Sequence, residues 1–198
     1  FTQREDERWE VLTTHGQIYI ADQLMIGAGS SKAVWDNLKK LGHKIVTPVP
    51  SLFTFNSKDE RIKGLSGISL PNATVQVAAS DLEASGPLLI THWGFSGPAI
   101  LRLSAWGARE LNDRFYRFPI MINWIGRDEE EVLADFNEEK KHSGKKRIGN
   151  HAHYGIPLRL WKSMVAGAGI KSTATWGDLA GKDLKQLASE LCCAVFQI

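Results

Sequence analysis

Hydrophobic and polar positions set out a series of short elements along the first two thirds of the chain. Arg8-Trp9-Glu10-Val11-Leu12-Thr13 alternates in part and carries β-favouring side chains. His15-Gly16 interrupts it, and Gln17-Ile18-Tyr19-Ile20-Ala21 resumes it, which predicts a hairpin. Leu24-Met25-Ile26 reads as a short buried strand running into Gly27-Ala28-Gly29. Over residues 32–41, Ala33, Val34, Leu38 and Leu41 make an amphipathic helix that Gly42 stops. Residues 44–55 read as extended, with Pro48 and Pro50 confining the middle to an edge or a bend. Residues 65–70 and 73–79 are β-like runs joined at the turn pair Pro71-Asn72, residues 80–86 a loop, and residues 87–91 a strand. In residues 116–125, Phe118, Ile120, Ile122 and Trp124 alternate with Pro119, Met121 and Asn123, a strong strand pattern.

After residue 127 the period changes from two to that of a helix. Asp128-Glu129-Glu130-Glu131 places acids in a first helical turn, where the helix dipole favours them, and Val132, Leu133 and Phe136 form the apolar stripe. Residues 140–147 read as a basic loop. Residues 157–168 predict a second helix with Pro157 at its first position, residues 175–179 a turn, and residues 183–192 a third helix. Ala194-Val195-Phe196-Gln197-Ile198 is again β-like. The expected class is α+β: a hairpin and helix, a small antiparallel barrel or sandwich, and a helical block inserted before a closing strand.

One stretch concentrates candidate chemistry: Thr91-His92-Trp93-Gly94-Phe95-Ser96-Gly97-Pro98-Ala99-Ile100-Leu101. It reads as strand, glycine-rich turn and helix, with Ser96 as N-cap and Pro98 in the first helical turn. A helix N-terminus can hold an anion or a polarised carbonyl, and His92 and Trp93 add a titratable group and a flat apolar surface. The same pattern also describes a tight, capped connection with no chemistry.

Composition narrows the classes. A net charge of +2 with both signs interspersed argues against a nucleic-acid or membrane partner, and no apolar run approaches a membrane span. The first residues carry no signal-peptide pattern. A start without Met and an end in mid-strand make an excised piece of a longer protein the expectation. Adjacent Cys192 and Cys193 are poorly placed to staple a fold, so reduced thiols, core packing and a cytoplasmic setting are expected.

Other constellations carry less. His142, His151 and His153 lack partners at recognisable zinc spacing, so no metal is expected and they read as loop or capping histidines. Ser96 beside His92 is not a nucleophile elbow, because Pro98 replaces its second glycine. Gly27-Ala28-Gly29 resembles the opening of a dinucleotide fingerprint, but Lys32 stands where the third glycine belongs.

Tyr19-Ile20-Ala21-Asp22-Gln23-Leu24-Met25-Ile26-Gly27-Ala28-Gly29 resembles the Tyr-x-Ala-Asp-x-Leu-Val-x-Ala-Thr-Gly-Gly strand of two-dinucleotide-fold flavoproteins. With Leu41-Gly42-His43-Lys44-Ile45-Val46-Thr47-Pro48-Val49-Pro50-Ser51-Leu52, Leu65-Ser66-Gly67-Ile68-Ser69 and the stretch 91–101, the chain is similar to the aminoacetone-oxidase-like family. Those are FAD-dependent, NAD(P)-linked oxidoreductases, a family that includes bile-acid-type enone reductases. The resemblance implies a six-stranded translation-factor-like β-barrel with an inserted all-α subdomain. It implies an edge of the FAD domain over residues 1–43, the barrel over 44–127, the helical insert over 128–190 and a closing strand over 191–198. It implies FAD contacts at Gly27, Gly29, Gly94, Phe95, Ser96 and Gly97, roles in chemistry for His92 and Ser96, and a substrate wall at Trp93. The implied partners are the rest of the FAD domain, NAD(P)H and a small carbonyl, enone or amine substrate. Ala28-Gly29-Ser30 departs from the family's Thr-Gly-Gly, and without its fingerprint glycine segment the piece alone is not expected to hold FAD or to be active. The alternative is a non-catalytic module for protein or RNA, resting on the basic loop 140–147.

Overall fold

The computed structural model describes residues 1–198 and divides into two compact units after Pro48. In the first unit, β1 (Thr2–Gln3), β2 (Trp9–Leu12) and β3 (Ile18–Ala21) form an antiparallel three-stranded sheet in the order β1-β2-β3, and α1 (Lys32–Lys40) follows. The predicted hairpin and helix are present. The predicted strand at Leu24-Met25-Ile26 is not: the segment has no regular structure and Met25 is 94% exposed. Three apolar residues without a β-partner gain nothing from extension, since a strand is stabilised by its neighbours.

The second unit contains β4 (Phe55–Asn56), β5 (Ser69–Val77), β6 (Glu83–Ile90), β7 (Gly94–Ser96), α2 (Pro98–Trp106), α3 (Ala108–Asp113), β8 (Pro119–Asn123), α4 (Glu129–Ser143), α5 (Leu158–Gly167), α6 (Gly181–Cys192) and β9 (Ala194–Gln197). Its six strands pair antiparallel in the order β4-β7-β6-β5-β8-β9. The sheet is a curled half-barrel that shares the unit with five helices, in a mixed α/β fold. Ring contacts report the curl: Phe95 on β7 meets Phe196 on β9 at 4.9 Å, and Trp124 lies 6.2 Å from the first and 5.8 Å from the second. The two edge strands approach where the Ser57 hydroxyl donates to the Gln197 carbonyl at 2.8 Å.

Several expectations change in physical detail. Pro71-Asn72 is not a turn: β5 runs through it, with a bulge between Leu70 and Ala73. Leu70 and Ala73 are an odd number of residues apart, and the extra residue lets both face the core. A bulge also tolerates proline, which has no N–H to give the ladder. The predicted loop 80–86 is largely strand, because β6 starts at Glu83. The helix after the central stretch is two helices broken at Gly107, where any side chain would collide with Leu82 and meet the Leu103 carbonyl at 3.0 Å. The basic loop is partly helical, since α4 extends to Ser143.

The helical block between β8 and β9 carries its own core. Val132 and Phe136 of α4, Leu160, Trp161 and Met164 of α5, and Leu184, Leu187 and Leu191 of α6 are buried. Asp128 caps α4 by accepting from the Glu130 N–H, as the acidic first turn suggests. No helix is long and apolar enough to cross a membrane.

Candidate functional site

An open cleft of about 1020 Å³ lies in the second unit. It is lined by the segment after β4 (Ser57, Lys58, Glu60 and Lys63 among others), by the β6–β7 turn, by Arg159 of α5 and by Gln197 and Ile198. The turn is Thr91-His92-Trp93-Gly94. Its shape follows from a local network. The Thr91 N–H donates to the Gly94 carbonyl at 2.8 Å. The Thr91 hydroxyl donates to that same carbonyl at 3.2 Å and accepts from the Trp93 N–H at 3.2 Å. The Ser57 N–H donates to the Trp93 carbonyl at 2.8 Å, which pins the turn to the end of β4. With its backbone held, the Trp93 indole stands 74% exposed at the cleft.

Gly94 makes this possible. Its φ is +144°, and a methyl group there would collide with the Phe55 carbonyl and sit 2.6 Å from the Ser57 N. Only glycine lets β4 and β7 come this close.

The central stretch thus splits. His92, Trp93 and Gly94 line the cleft. Phe95 turns inward and is fully buried in the barrel core. Gly94, Phe95 and Ser96 form β7, registered with β4 on one side and β6 on the other, which directs their backbone groups into ladders. Ser96 is not the N-cap of α2. Gly97 is, at φ +98°, packed so tightly on β6 that a methyl group would meet the Pro87 carbonyl at 2.8 Å. Pro98 occupies the first helical turn as expected. Ser96 and Gly97 lie outside the lining of the cleft.

The electrostatics of the lining leave an excess of positive charge. Asp59 is bound by Arg61 through Nε at 3.0 Å and Nη2 at 2.8 Å. That guanidinium holds the Asp59 carboxyl below its ordinary value of 3.8. Lys63 pairs with Glu60 at 3.0 Å. Lys58 and Arg159 have no carboxylate partner, and Arg159 donates to the Gly64 carbonyl at 2.9 Å. These residues were missed in the sequence. The signal was the run Lys58-Asp59-Glu60-Arg61-Ile62-Lys63, where dense charge interrupts a β-rich region and marks a surface loop.

Arg61 reaches further. Its Nη1 contacts Glu190 Oε2 of α6 at 2.7 Å, its Nη2 donates to the Val195 carbonyl, and its guanidinium lies 4.1 Å over the Phe196 ring. The Ser163 hydroxyl of α5 donates to the Arg61 carbonyl. One residue therefore joins the cleft segment to both helices and to β9.

The histidines of the helical block do not assemble. The His142 ring contacts the Glu138 carbonyl at 2.9 Å. His153 is half-buried among Phe136, Tyr154, Trp161 and Trp176, with centroid distances of 5.1 to 6.2 Å, rather than a solvent-facing loop residue. Burial lowers its pKa. Cys192 packs in the core, where burial pushes its thiol up to about 12, whereas Cys193 is exposed.

The sequence pattern of the HI0933-like protein barrel and H2TH domain family matches residues 49–198. The chain belongs to this family. The HI0933-like family lies within the FAD-dependent oxidoreductase superfamily and is flavoprotein-associated. The boundary of the HI0933-like match coincides with the start of the second unit at Val49. An 82-residue stretch is 34% identical to the ribosomal RNA dihydrouridine synthase of Haemophilus influenzae, covering 40% of this chain and 20% of that protein. The matched stretch is thus about a fifth of the relative's length.

Two of the glycines that the resemblance places against a flavin, Gly27 and Gly29, lie in an open segment of the first unit. Residues 23–29 form neither strand nor helix, and a methyl group at Gly27 or Gly29 would meet nothing within 4 Å.

Proposed function

We propose that residues 49–198 form the substrate side of an FAD-dependent, NAD(P)-linked oxidoreductase, with residues 1–43 as an edge of its FAD domain and the flavin held mainly by other parts of the protein. The barrel is read as translation-factor-like and the helices 128–190 as an insert that shapes the site; the piece alone is read as inactive. The observation that carries this is the cleft built around Trp93 in a chain of a flavoprotein-associated family.

The flavin supplies the hydride chemistry when bound. This chain's part is to receive and orient a substrate. Trp93 offers a flat wall, and His92 offers a ring nitrogen that can carry a proton to a substrate oxygen. Thr91 and Gly94 hold both in place. Ser96 and Gly97 act through the packing of β7 and α2 on β6.

The substrate is read as a conjugated carbonyl, an enone in the broad sense. The Haemophilus influenzae relative supports this from another side. Dihydrouridine is uridine with the ring C5–C6 double bond reduced, and that bond is conjugated to a carbonyl. A uracil ring in RNA is thus a second reading, favoured by the relative's printed activity and by Lys58 and Arg159 at the cleft.

The test uses the full-length protein. Purified with its flavin, it is expected to lose oxidised-flavin absorbance on adding NAD(P)H. Trp93→Ala and His92→Ala are expected to retain that flavin while substrate-dependent reoxidation slows at least tenfold. A protein that purifies without flavin, or variants that turn over at the unsubstituted rate, would defeat the reading.

A further inference from the structure

We propose that helix α5 sets the width of the cleft, with Ser163 and Gly167 as positioning residues that hold the wall formed by residues 58–64 from behind. Neither residue lies in the lining of the cleft, so neither touches a ligand there. This rests on the cleft being the side of the protein that receives substrate.

The wall needs something to hold it. Residues 57–64 belong to no strand, and their regular structure is a single short helical turn, Glu60–Ile62. Carbonyls outside any ladder must find other partners. Helix α5 supplies them from one stripe. Arg159, Ser163 and Gly167 recur at every fourth position, so they share a face of the helix. The Arg159 guanidinium donates to the Gly64 carbonyl at 2.9 Å. One turn on, the Ser163 hydroxyl donates to the Arg61 carbonyl. One turn further, Gly167 faces the stem of Arg61, where a Cβ would lie 2.9 Å from Cδ and 3.3 Å from Cγ. A helix favours alanine over glycine, so the glycine at this position answers to the close approach.

The same contacts make the wall respond to a push from α5. Glu60 and Ile62 line the cleft and Arg61 between them does not, so the Arg61 side chain points away from it. The guanidinium is fixed by Asp59, Glu190 and the Val195 carbonyl and lies over Phe196. A stem clamped at its far end cannot swing aside, so a methyl group at Gly167 is relieved by moving the wall towards the cleft. The Thr91–Gly94 turn is held by its own hydrogen bonds and does not have to follow. Displacing residues 58–64 therefore changes the space left beside Trp93.

The experiment compares the full-length protein with its Ser163→Ala, Ser163→Thr and Gly167→Ala variants. Amide hydrogen exchange is measured on each, together with steady-state kinetics on two enones, cyclohexenone and the longer benzylideneacetone. The amides of Arg61, Ile62, Lys63 and Leu65 are hydrogen-bonded and report on the wall. Ser163→Ala is expected to speed their exchange about fivefold, as the loss of one hydrogen bond would, with β5 and β8 unchanged. Ser163→Thr, which keeps the hydroxyl, is expected to retain the slow rate. Gly167→Ala is expected to raise the KM of the longer enone relative to the shorter by roughly tenfold, the scale on which one methylene decides in an apolar pocket. Its kcat is expected to stay unchanged, as for a loss of binding alone. Exchange at the wall that Ser163→Ala leaves unaltered, exchange that quickens equally in every strand, or a KM ratio that Gly167→Ala does not move overturns the inference. Turnover of neither enone by the unsubstituted protein defeats the oxidoreductase reading instead, and the exchange rates then decide this inference by themselves.

Discussion

Arg61 Nη1 lies 2.7 Å from Glu190 Oε2, joining residues 129 positions apart in the chain. Glu190 is only 9% exposed, and the same guanidinium covers Phe196 and binds Asp59. The pair ties the wall of the cleft to the last helix before β9.

Removing one member leaves the other buried without its partner. Glu190→Ala and Arg61→Ala are each expected to destabilise the protein by about 3 kcal/mol, read as the shift in urea unfolding. A double variant no worse than the worse single variant is the expected sign of direct coupling. Costs that simply add would show that the two residues act independently.

Acid should attack the same network through Asp59. Its carboxyl titrates below 3.8 in the fold because Arg61 binds its charged form. A depressed carboxylate contributes stability that is complete above its unfolded value and is lost as the pH falls through the folded one. Unfolding midpoints are therefore expected to drop as the pH is lowered below 3.8. Asp59→Asn is expected to start lower and to fall less over that window.

The backbone at the cleft admits a sharper comparison. Gly94→Ala places a methyl group against β4, whereas Gly155, at φ +69°, has open space around it. Gly155→Ala is expected to cost only the ~1–2 kcal/mol of a left-handed residue. Gly94→Ala is expected to cost clearly more, because β4 and β7 must also separate. Equal thermal shifts for the two would refute the close-approach argument.

His153 gives a second pH window of the same sign. Burial among aromatic rings lowers its pKa below 6.5, with Glu139 and Asp135 opposing and His151 assisting. The fold thus prefers the neutral ring, and its stability is expected to decline as the pH falls from 6.5 through the depressed value. His153→Phe, which keeps a ring in the cluster, is expected to flatten that decline in denaturation curves.

Local pattern revealed the barrel strands that alternate cleanly and the helices that carry caps. Phe118, Ile120, Ile122 and Trp124 are all buried as their spacing predicted. It failed where a remote partner decides. Leu24-Met25-Ile26 looks like a strand but has no neighbour, and Pro71-Asn72 looks like a turn but is a bulge in β5, which pairs with β6 on both sides of it. At the cleft, Trp93 and His92 stood out because their residue types are informative. Lys58, Arg61 and Arg159 did not, since their roles depend on contacts from positions far along the chain. Gly97 displaced Ser96 as the cap because packing against β6 has no local signature.

The half-barrel is drawn together at its rims by the Ser57–Gln197 hydrogen bond rather than by a full ladder between β4 and β9. Both residues line the cleft. A cylinder sealed along that seam would have no mouth there. β4 is two residues long and offers β9 little edge to pair with, so the seam that the sheet leaves unpaired is also its doorway.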